Sequence, residues 1–61
     1  MTSEEIIEIL ENNKKYLVDK EICSINVFYD FYIAVEFNSE SSEREGIILF
    51  KNDIYEPKPY Y

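Results

Sequence analysis

The chain has few side chains that could catalyse a reaction. Histidine, the most usual general base, is absent, and Cys23 is the only cysteine among the 61 residues. Cys23 lies in an apolar stretch that is predicted as a strand. A reactive thiol needs an exposed, electropositive site, so we expect this thiol to be buried and inert. Ser41 and Ser42 lie among acidic residues, without a base or an oxyanion hole. The sequence therefore predicts no catalytic residue and a protein that is not an enzyme.

Sites for cofactors and metals are not predicted either. One glycine, Gly46, is too few for a phosphate-binding loop, and no P-loop or dinucleotide motif occurs. The segment 40–46 lacks the Asp-x-Asp-x-Asp-Gly pattern of a calcium loop. Zinc would need cysteine and histidine ligands that the chain does not have. We expect no cofactor and no metal ion.

Acidic side chains dominate the charge of the chain, with 13 Asp and Glu against 6 Lys and Arg and a net charge of -7. This charge opposes direct binding to nucleic-acid phosphates or to an anionic membrane. It favours a partner protein with a basic surface, and simple solubility is the alternative. The acidic partner-binding candidates are Glu4, Glu8 and Glu11, at helical spacing, and Glu40, Glu43 and Glu45, in a polar segment.

Aromatic residues supply the second set of candidates, because tyrosine combines a large contact area with a hydrogen-bonding tip. The tail contains two prolines, which leave its tyrosines little reason to be buried. They are either anchors for a partner or a cover for the second face of the sheet. The aromatic partner-binding candidates are Phe28, Tyr32, Tyr55, Tyr60 and Tyr61.

The acidic row is positioned by a predicted helix over residues 3–18. Thr2 and Glu5 have the spacing of a capping box at its start. Apolar residues recur at steps of three and four, and Asn13 is the weak point of that stripe. The residues of the stripe are Ile6, Ile9, Leu10, Asn13 and Leu17.

The aromatic candidates are positioned by predicted strands. The apolar run 22–37 is too long for one strand, so a break at Asp30 is expected, with one long bent strand as the alternative. A polar loop over 38–45 follows, and Gly46 closes it through a positive φ. A third strand covers 47–51. The sequence predicts an α+β fold, with one N-terminal helix on a three-stranded antiparallel sheet over 1–52 and an extended tail over 53–61.

Alternation along these strands assigns the two faces of the sheet. The face against the helix is predicted to hold Cys23, Ile25, Val27, Ile33, Val35 and Phe37. Phe28 and Tyr32 point away from the helix, together with one of the pairs Ile47/Leu49 and Ile48/Phe50. This apolar surplus exceeds what one helix covers, and we expect a homodimer or a monomer covered by its tail.

The cellular compartment is predicted from the targeting features that the sequence does not show. Its start is acidic where a signal peptide is basic, and no apolar run approaches the roughly 18 residues of a membrane span. A single cysteine forms no internal disulfide, so no oxidising compartment is indicated. A cytoplasmic protein is expected.

A short acidic chain with a helix and three strands over residues 1–52, one cysteine and many aromatic residues resembles phage-encoded inhibitors of bacterial defence, including some anti-CRISPR proteins. The resemblance lies in architecture and charge, without a diagnostic motif, and therefore implies no particular functional residue. It implies a protein of the host cytoplasm that blocks a basic, nucleic-acid-handling enzyme. The proline- and tyrosine-containing tail and the modest charge depart from a strongly acidic mimic of nucleic acid.

Three functions fit these features. The first is a small inhibitor or regulatory protein that binds a basic protein. The second is an immunity protein or antitoxin that neutralises a toxin, which gene neighbourhood would separate from the first. The third is a structural homodimer, which the oligomeric state would test.

Overall fold

In a computed structural model, which describes residues 1–39 and 43–61, one main helix packs on an antiparallel sheet of four strands. The predicted α+β class is confirmed, and the predicted strand count of three is corrected to four. The elements are α1 (Ser3–Asn12), α2 (Lys14–Leu17), β1 (Ile22–Phe28), β2 (Tyr32–Phe37), β3 (Glu45–Phe50), a 3-10 helix (Lys51–Asp53) and β4 (Lys58–Pro59).

The predicted helix begins as expected but is interrupted once. The Thr2 side chain accepts a hydrogen bond from the Glu5 backbone N–H, and the Glu5 carboxylate accepts one from the Thr2 N–H, which confirms the capping box. At Asn13 the backbone leaves helical geometry, with φ -113° and ψ 22°. The buried Asn13 amide donates to the Ile9 carbonyl oxygen at 2.8 Å, so its polar group is satisfied locally at the break between α1 and α2.

The sheet is a meander in which each strand pairs with the next in sequence, in the order β1-β2-β3-β4. The expected break at Asp30 is confirmed, because residues 29–31 form the turn between β1 and β2. Tyr29 adopts a positive φ of 57° in this turn, and the Phe31 N–H donates to the Phe28 carbonyl oxygen at 3.4 Å.

The core lies between α1 and the two central strands. Ile33 and Val35 of β2 and Leu49 of β3 are fully buried, and they form one cluster with Ile9 and Phe37. β2 lies between two strands and under α1, so its side chains on the helix side are enclosed.

The predicted core is wrong for β1. Cys23 is exposed, and the side chains of Ile25 and Val27 are 37% and 45% exposed. Two physical causes account for this. β1 is the edge strand beside β2, outside the buried cluster under α1. A register shift between Ile22 and Ser24 also takes Cys23 out of the alternation, and Ile22 instead opposes the core residue Phe37.

The sheet face away from the helix, here called the far face, is aromatic as predicted. It contains the pair Ile48/Phe50, whereas Leu49 belongs to the core. The rings of Phe28 and Tyr32 stack at 5.1 Å, and the ring of Tyr32 lies 5.7 Å from that of Phe50. The tail therefore has an apolar surface to cover.

The tail covers part of the far face and adds the fourth strand. Pro59 and Lys58 of β4 oppose Ile47 and Ile48 of β3, and the Tyr60 N–H donates to the Gly46 carbonyl oxygen at 3.1 Å. An edge strand tolerates proline because one side of its backbone needs no partner. The predicted positive φ at Gly46 is wrong, since no described glycine has one. Gly46 lies inside β3, against Tyr60.

Candidate binding surfaces

The outer face of α1 presents Glu4, Glu8 and Glu11, as the helical spacing predicts. All three side chains are exposed, and none forms an ion pair with a residue in the described ranges 1–39 and 43–61. Seven residues of helix separate the first from the last, which is about 10 Å along the axis. We call this row of three carboxylates the acidic helix face.

Glu5, in the same first turn, faces the 3-10 helix and is engaged. It forms an ion pair with Lys51, and Lys51 also contacts Asp30 at 3.2 Å. The hydrogen bond from Lys51 lowers the pKa of Glu5. The α-amino group of Met1, 3.1 Å from Asp30, and then Lys51 lower the pKa of Asp30. Glu5 and Asp30 therefore form ion pairs that connect parts of the fold, whereas the carboxylates of the acidic helix face do not.

The second predicted acidic cluster is described only at Glu43 and Glu45, and both of these side chains are engaged. Glu40 lies outside the described residues. Glu45 is 3.5 Å from the Lys20 ammonium, which neutralises part of its charge. Glu43 is exposed and has an interaction of its own. The sequence could not show this, because Lys20 is 25 positions from Glu45 and approaches it only in the folded chain.

The tyrosines of the tail contact other residues of the same chain. The Tyr55 ring packs edge-on against Phe31 and Phe50 at 6.0 and 5.2 Å. Tyr60 lies on Gly46, with its ring 6.5 Å from that of Phe28. Of the two alternatives left open by the sequence, the structure shows the tail folded back over the far face.

Tyr61 ends this arrangement with a strong hydrogen bond. Its hydroxyl donates to the Glu36 carboxylate at 2.6 Å. This bond lowers the pKa of Glu36 and raises the pKa of Tyr61, because each keeps the protonation state that maintains it. The predicted residues Phe28, Tyr32, Tyr55, Tyr60 and Tyr61 thus belong to one aromatic layer, in which Tyr55 and Tyr61 remain about half exposed.

Basic residues gather where the tail meets the end of the helix. An open groove of about 430 Å³ lies there, between α2, the start of β3 and the tail. Lys20 lies 5.7 Å from the Phe37 ring centre, and Arg44 lies 6.0 Å from that of Tyr61. The groove thus combines two cations with the Glu45 carboxylate, which pairs with Lys20.

The outer edge of β1 is a surface that the sequence analysis missed. No described strand pairs with it, since β1 comes first in the order of the sheet. Its seven residues, Ile22 to Phe28, include no charged residue and no proline. The signal that could have revealed it was this lack of charge in an acidic chain. We call it the β1 edge.

An isoleucine of α1 is exposed on the side of the helix away from the 3-10 helix. Glu5, Glu8 and Asn12 line a small cleft against the 3-10 helix. Ile7, at 100° per residue, projects away from this cleft and is 54% exposed. On β1, Ile25 and Val27 oppose the core residues Val35 and Ile33, so they form an exposed apolar strip on the helix side of the β1 edge.

Together these features define a small α+β domain with an acidic helix face and an unpaired, uncharged sheet edge. Comparison with known protein families, curated proteins and solved structures found no match. Among the described residues, no helix has the length and apolar character needed to cross a membrane.

Proposed function

We propose that this chain is a non-catalytic protein that binds a protein with a basic surface through the acidic helix face. The observation that supports this is the contrast among its carboxylates. Glu5, Asp30 and Glu36 are engaged in ion pairs or hydrogen bonds that hold the fold together. Glu4, Glu8 and Glu11 have no such role among the described residues and remain available to a partner.

The physics of such a surface suits regulation or inhibition. Complementary charge steers the encounter of two proteins and raises the association rate. Each exposed ion pair adds only about 0.2–1 kcal/mol, so the three carboxylates act as a row. The row has the negative sign of a nucleic-acid backbone, so it is complementary to a groove in which Lys and Arg bind phosphates. A bound acidic helix would occupy such a groove and block its substrate.

The proposed targets are the two classes of protein that the sequence suggests. The first candidate is a nucleic-acid-handling enzyme of bacterial defence, blocked by a phage-encoded inhibitor. The runner-up is a toxin neutralised by an immunity protein or antitoxin, for which the same acidic surface would serve. An adjacent toxin gene would favour the second, and neighbouring phage structural genes would favour the first.

The experiment compares two variants of equal charge. Replacing Glu4, Glu8 and Glu11 by glutamine changes the net charge from -7 to -4. The control replaces Asp19 by asparagine and Glu21 and Glu56 by glutamine, with the same change in charge outside α1. Asp19 has a positive φ of 63°, which asparagine also tolerates, and Glu21 accepts a hydrogen bond from the Asn38 amide, which a glutamine oxygen also accepts.

Each protein is immobilised and used to capture partners from a lysate of the cells in which its gene occurs. We expect the wild type and the control to retain a basic protein that the glutamine variant releases, and whose activity falls when the wild-type chain is added. Surface plasmon resonance should show the loss in the association rate. Equal retention by both variants, equal loss from both, or an acidic partner would contradict the proposal.

A further inference from the structure

The two edges of the sheet are built differently. β4, at one edge, is two residues long and contains Lys58 and Pro59, with Pro57 just before it. Charge, proline and shortness are the devices by which natural sheets prevent edge-to-edge pairing. β1, at the other edge, is seven residues long and has neither charge nor proline. β1 has one such device, the bulge between Ile22 and Ser24, but Ser24 to Phe28 pair regularly and stay open to a further strand.

The β1 edge is complementary to itself. The register shift at Ile22 to Ser24 leaves Ser24 to Phe28 as a regular segment, whose centre is Asn26. If a second β1 pairs antiparallel about a two-fold axis at Asn26, Ile25 of each copy lies opposite Val27 of the other. Pairs of β-branched residues directly opposite each other stabilise an antiparallel sheet. Both pairs lie on the helix side, where Ile25 and Val27 are now half exposed.

Charge favours a second copy over other occupants of this edge. Two chains that each have a net charge of -7 repel one another wherever their carboxylates approach. The segment Ile22 to Phe28 has no charged residue, so contact along it brings the fewest like charges together. A basic partner would gain nothing from an uncharged edge, because its complement is the acidic helix face.

We propose that the chain forms a homodimer in which β1 pairs antiparallel with β1 of a second copy, centred on Asn26. Four strands from each copy then make one continuous sheet of eight. The two-fold axis is perpendicular to the sheet, so both helices lie on the same side. The apolar strip of Ile25 and Val27 meets its counterpart at the seam. The homodimer expected from the sequence used the far face, which the tail covers instead.

This proposal is independent of the proposed function. The acidic helix face belongs to α1 and the seam to β1, so the two proposals use different residues. A protein that dimerises but binds no basic partner, or the reverse, would separate the two proposals.

Disulfide trapping tests the register directly. In a Cys23→Ser background, Asn26→Cys places two thiols opposite each other, with Cα atoms about 4.5–5.5 Å apart, which a disulfide can span. The matched control is Tyr29→Cys, at a side chain that is 88% exposed. In the proposed register its two copies lie about 20 Å apart, at ~3.3 Å per residue. The control therefore reports cross-linking by random collision.

We expect the Asn26→Cys protein to form a covalent dimer under mild oxidation at least about tenfold faster than the Tyr29→Cys protein, because pairing raises the local thiol concentration. Equal rates for the two proteins would overturn the proposal. Preferred cross-linking at Tyr29→Cys would overturn it as well, since the register would be wrong.

A second measurement does not depend on oxidation. Sedimentation equilibrium from micromolar to millimolar concentration should show the 7.3 kDa chain approaching twice its mass. Val27→Lys should keep the circular dichroism spectrum of the wild type, since this side chain is already 45% exposed, and should abolish the increase in mass. Ile54→Lys, at an exposed residue after the 3-10 helix, should leave the increase unchanged. A wild type that stays monomeric throughout would refute the dimer.

Discussion

At the scale of single residues, Gly46 lies where the tail crosses β3. A Cβ atom on Gly46 would be 3.0 Å from Cβ and Cδ2 of Tyr60 and 3.0 Å from the carbonyl oxygen of Val35. The only glycine of the chain is therefore needed for close approach and not for an unusual backbone angle. It allows the Tyr60 side chain to lie flat against the sheet.

We expect Gly46→Ala to lower the free energy of unfolding by about 1–3 kcal/mol, the usual cost of inserting a methyl group into a filled space. Urea unfolding followed by circular dichroism would measure it. Combining the change with Tyr60→Ala removes the contact with Cδ2 of residue 60, but not the contacts with its Cβ and with the Val35 carbonyl oxygen. The double variant should therefore lose less stability than the sum of the two single variants. If the two losses of unfolding free energy simply add, the side chain of Tyr60 does not interact with residue 46.

At the scale of elements, Lys51 joins three parts of the fold. It begins the 3-10 helix, pairs with Glu5 of α1 and contacts Asp30 of the turn between β1 and β2. Its backbone N–H also donates to the Phe31 carbonyl oxygen at 2.9 Å. The hydrogen bonds to Glu5 and then Asp30 raise the pKa of Lys51. The end of the sheet is thus tied to the start of the helix through one ammonium group.

This tie predicts a particular dependence of stability on pH. Glu5 and Asp30 have pKa values below their usual 4.5 and 3.8, so their contribution is present above those values and is lost as the pH falls through the lowered ones. Lys51 has a pKa above its usual 10.5, so its contribution is lost only as the pH rises beyond that raised value. Between these limits the tie stabilises the fold fully.

Lys51→Met should therefore melt at a lower temperature than the wild type at neutral pH, and the difference should shrink as the pH falls below about 4. Thermal unfolding across a pH series would measure it. Lys58→Met, at an exposed lysine of β4, removes the same charge elsewhere and should show no such convergence. If the difference in melting temperature between Lys51→Met and the wild type stays constant down to acid pH, the ion pairs are not its cause.

Local chemistry made part of the fold predictable. The capping box of Thr2 and Glu5 set the start of α1, and the length of the apolar run required a turn near Asp30. The acidic helix face followed from helical spacing alone. These features depend on residues close together in sequence, where a pattern is a sufficient guide.

Features set by distant pairing were not predictable. Alternation does not distinguish an edge strand from a central one, so Ile25 and Val27 were assigned to the core. The bulge that displaces Cys23 has no mark in the sequence. The prolines of the tail excluded a central strand, but they are compatible with the short edge pairing that Pro59 makes. The β1 edge became visible only once the order of the strands was known.

At the scale of the whole molecule, the distribution of charge gives its two proposed interactions opposite responses to salt. The Debye length falls from about 10 Å at 0.1 M to about 3 Å at 1 M. Screening weakens the attraction of the acidic helix face for a basic partner. It also weakens the repulsion between two chains of net charge -7, whose contact along β1 involves no charge.

We therefore expect added sodium chloride to slow association with a basic partner and to strengthen dimerisation of the wild type. Surface plasmon resonance measures the first and sedimentation equilibrium the second, in the same buffers. Potassium glutamate in place of sodium chloride controls for effects specific to chloride. Dimerisation that weakens with salt would indicate an interface held by ion pairs and not by the β1 edge.

The sequential order of the strands also bears on how the chain folds. Each strand pairs with its neighbour in sequence, and short loops cost little entropy to close, so the meander can form from local contacts at high speed. Docking of α1 is the long-range event, because Glu5 and Lys51 come from opposite ends of the chain. Until the helix docks, the helix side of the sheet is uncovered, in addition to the β1 edge that stays open in the folded chain. Rapid docking of the helix would therefore limit how long the apolar side of the nascent sheet is exposed to a wrong partner.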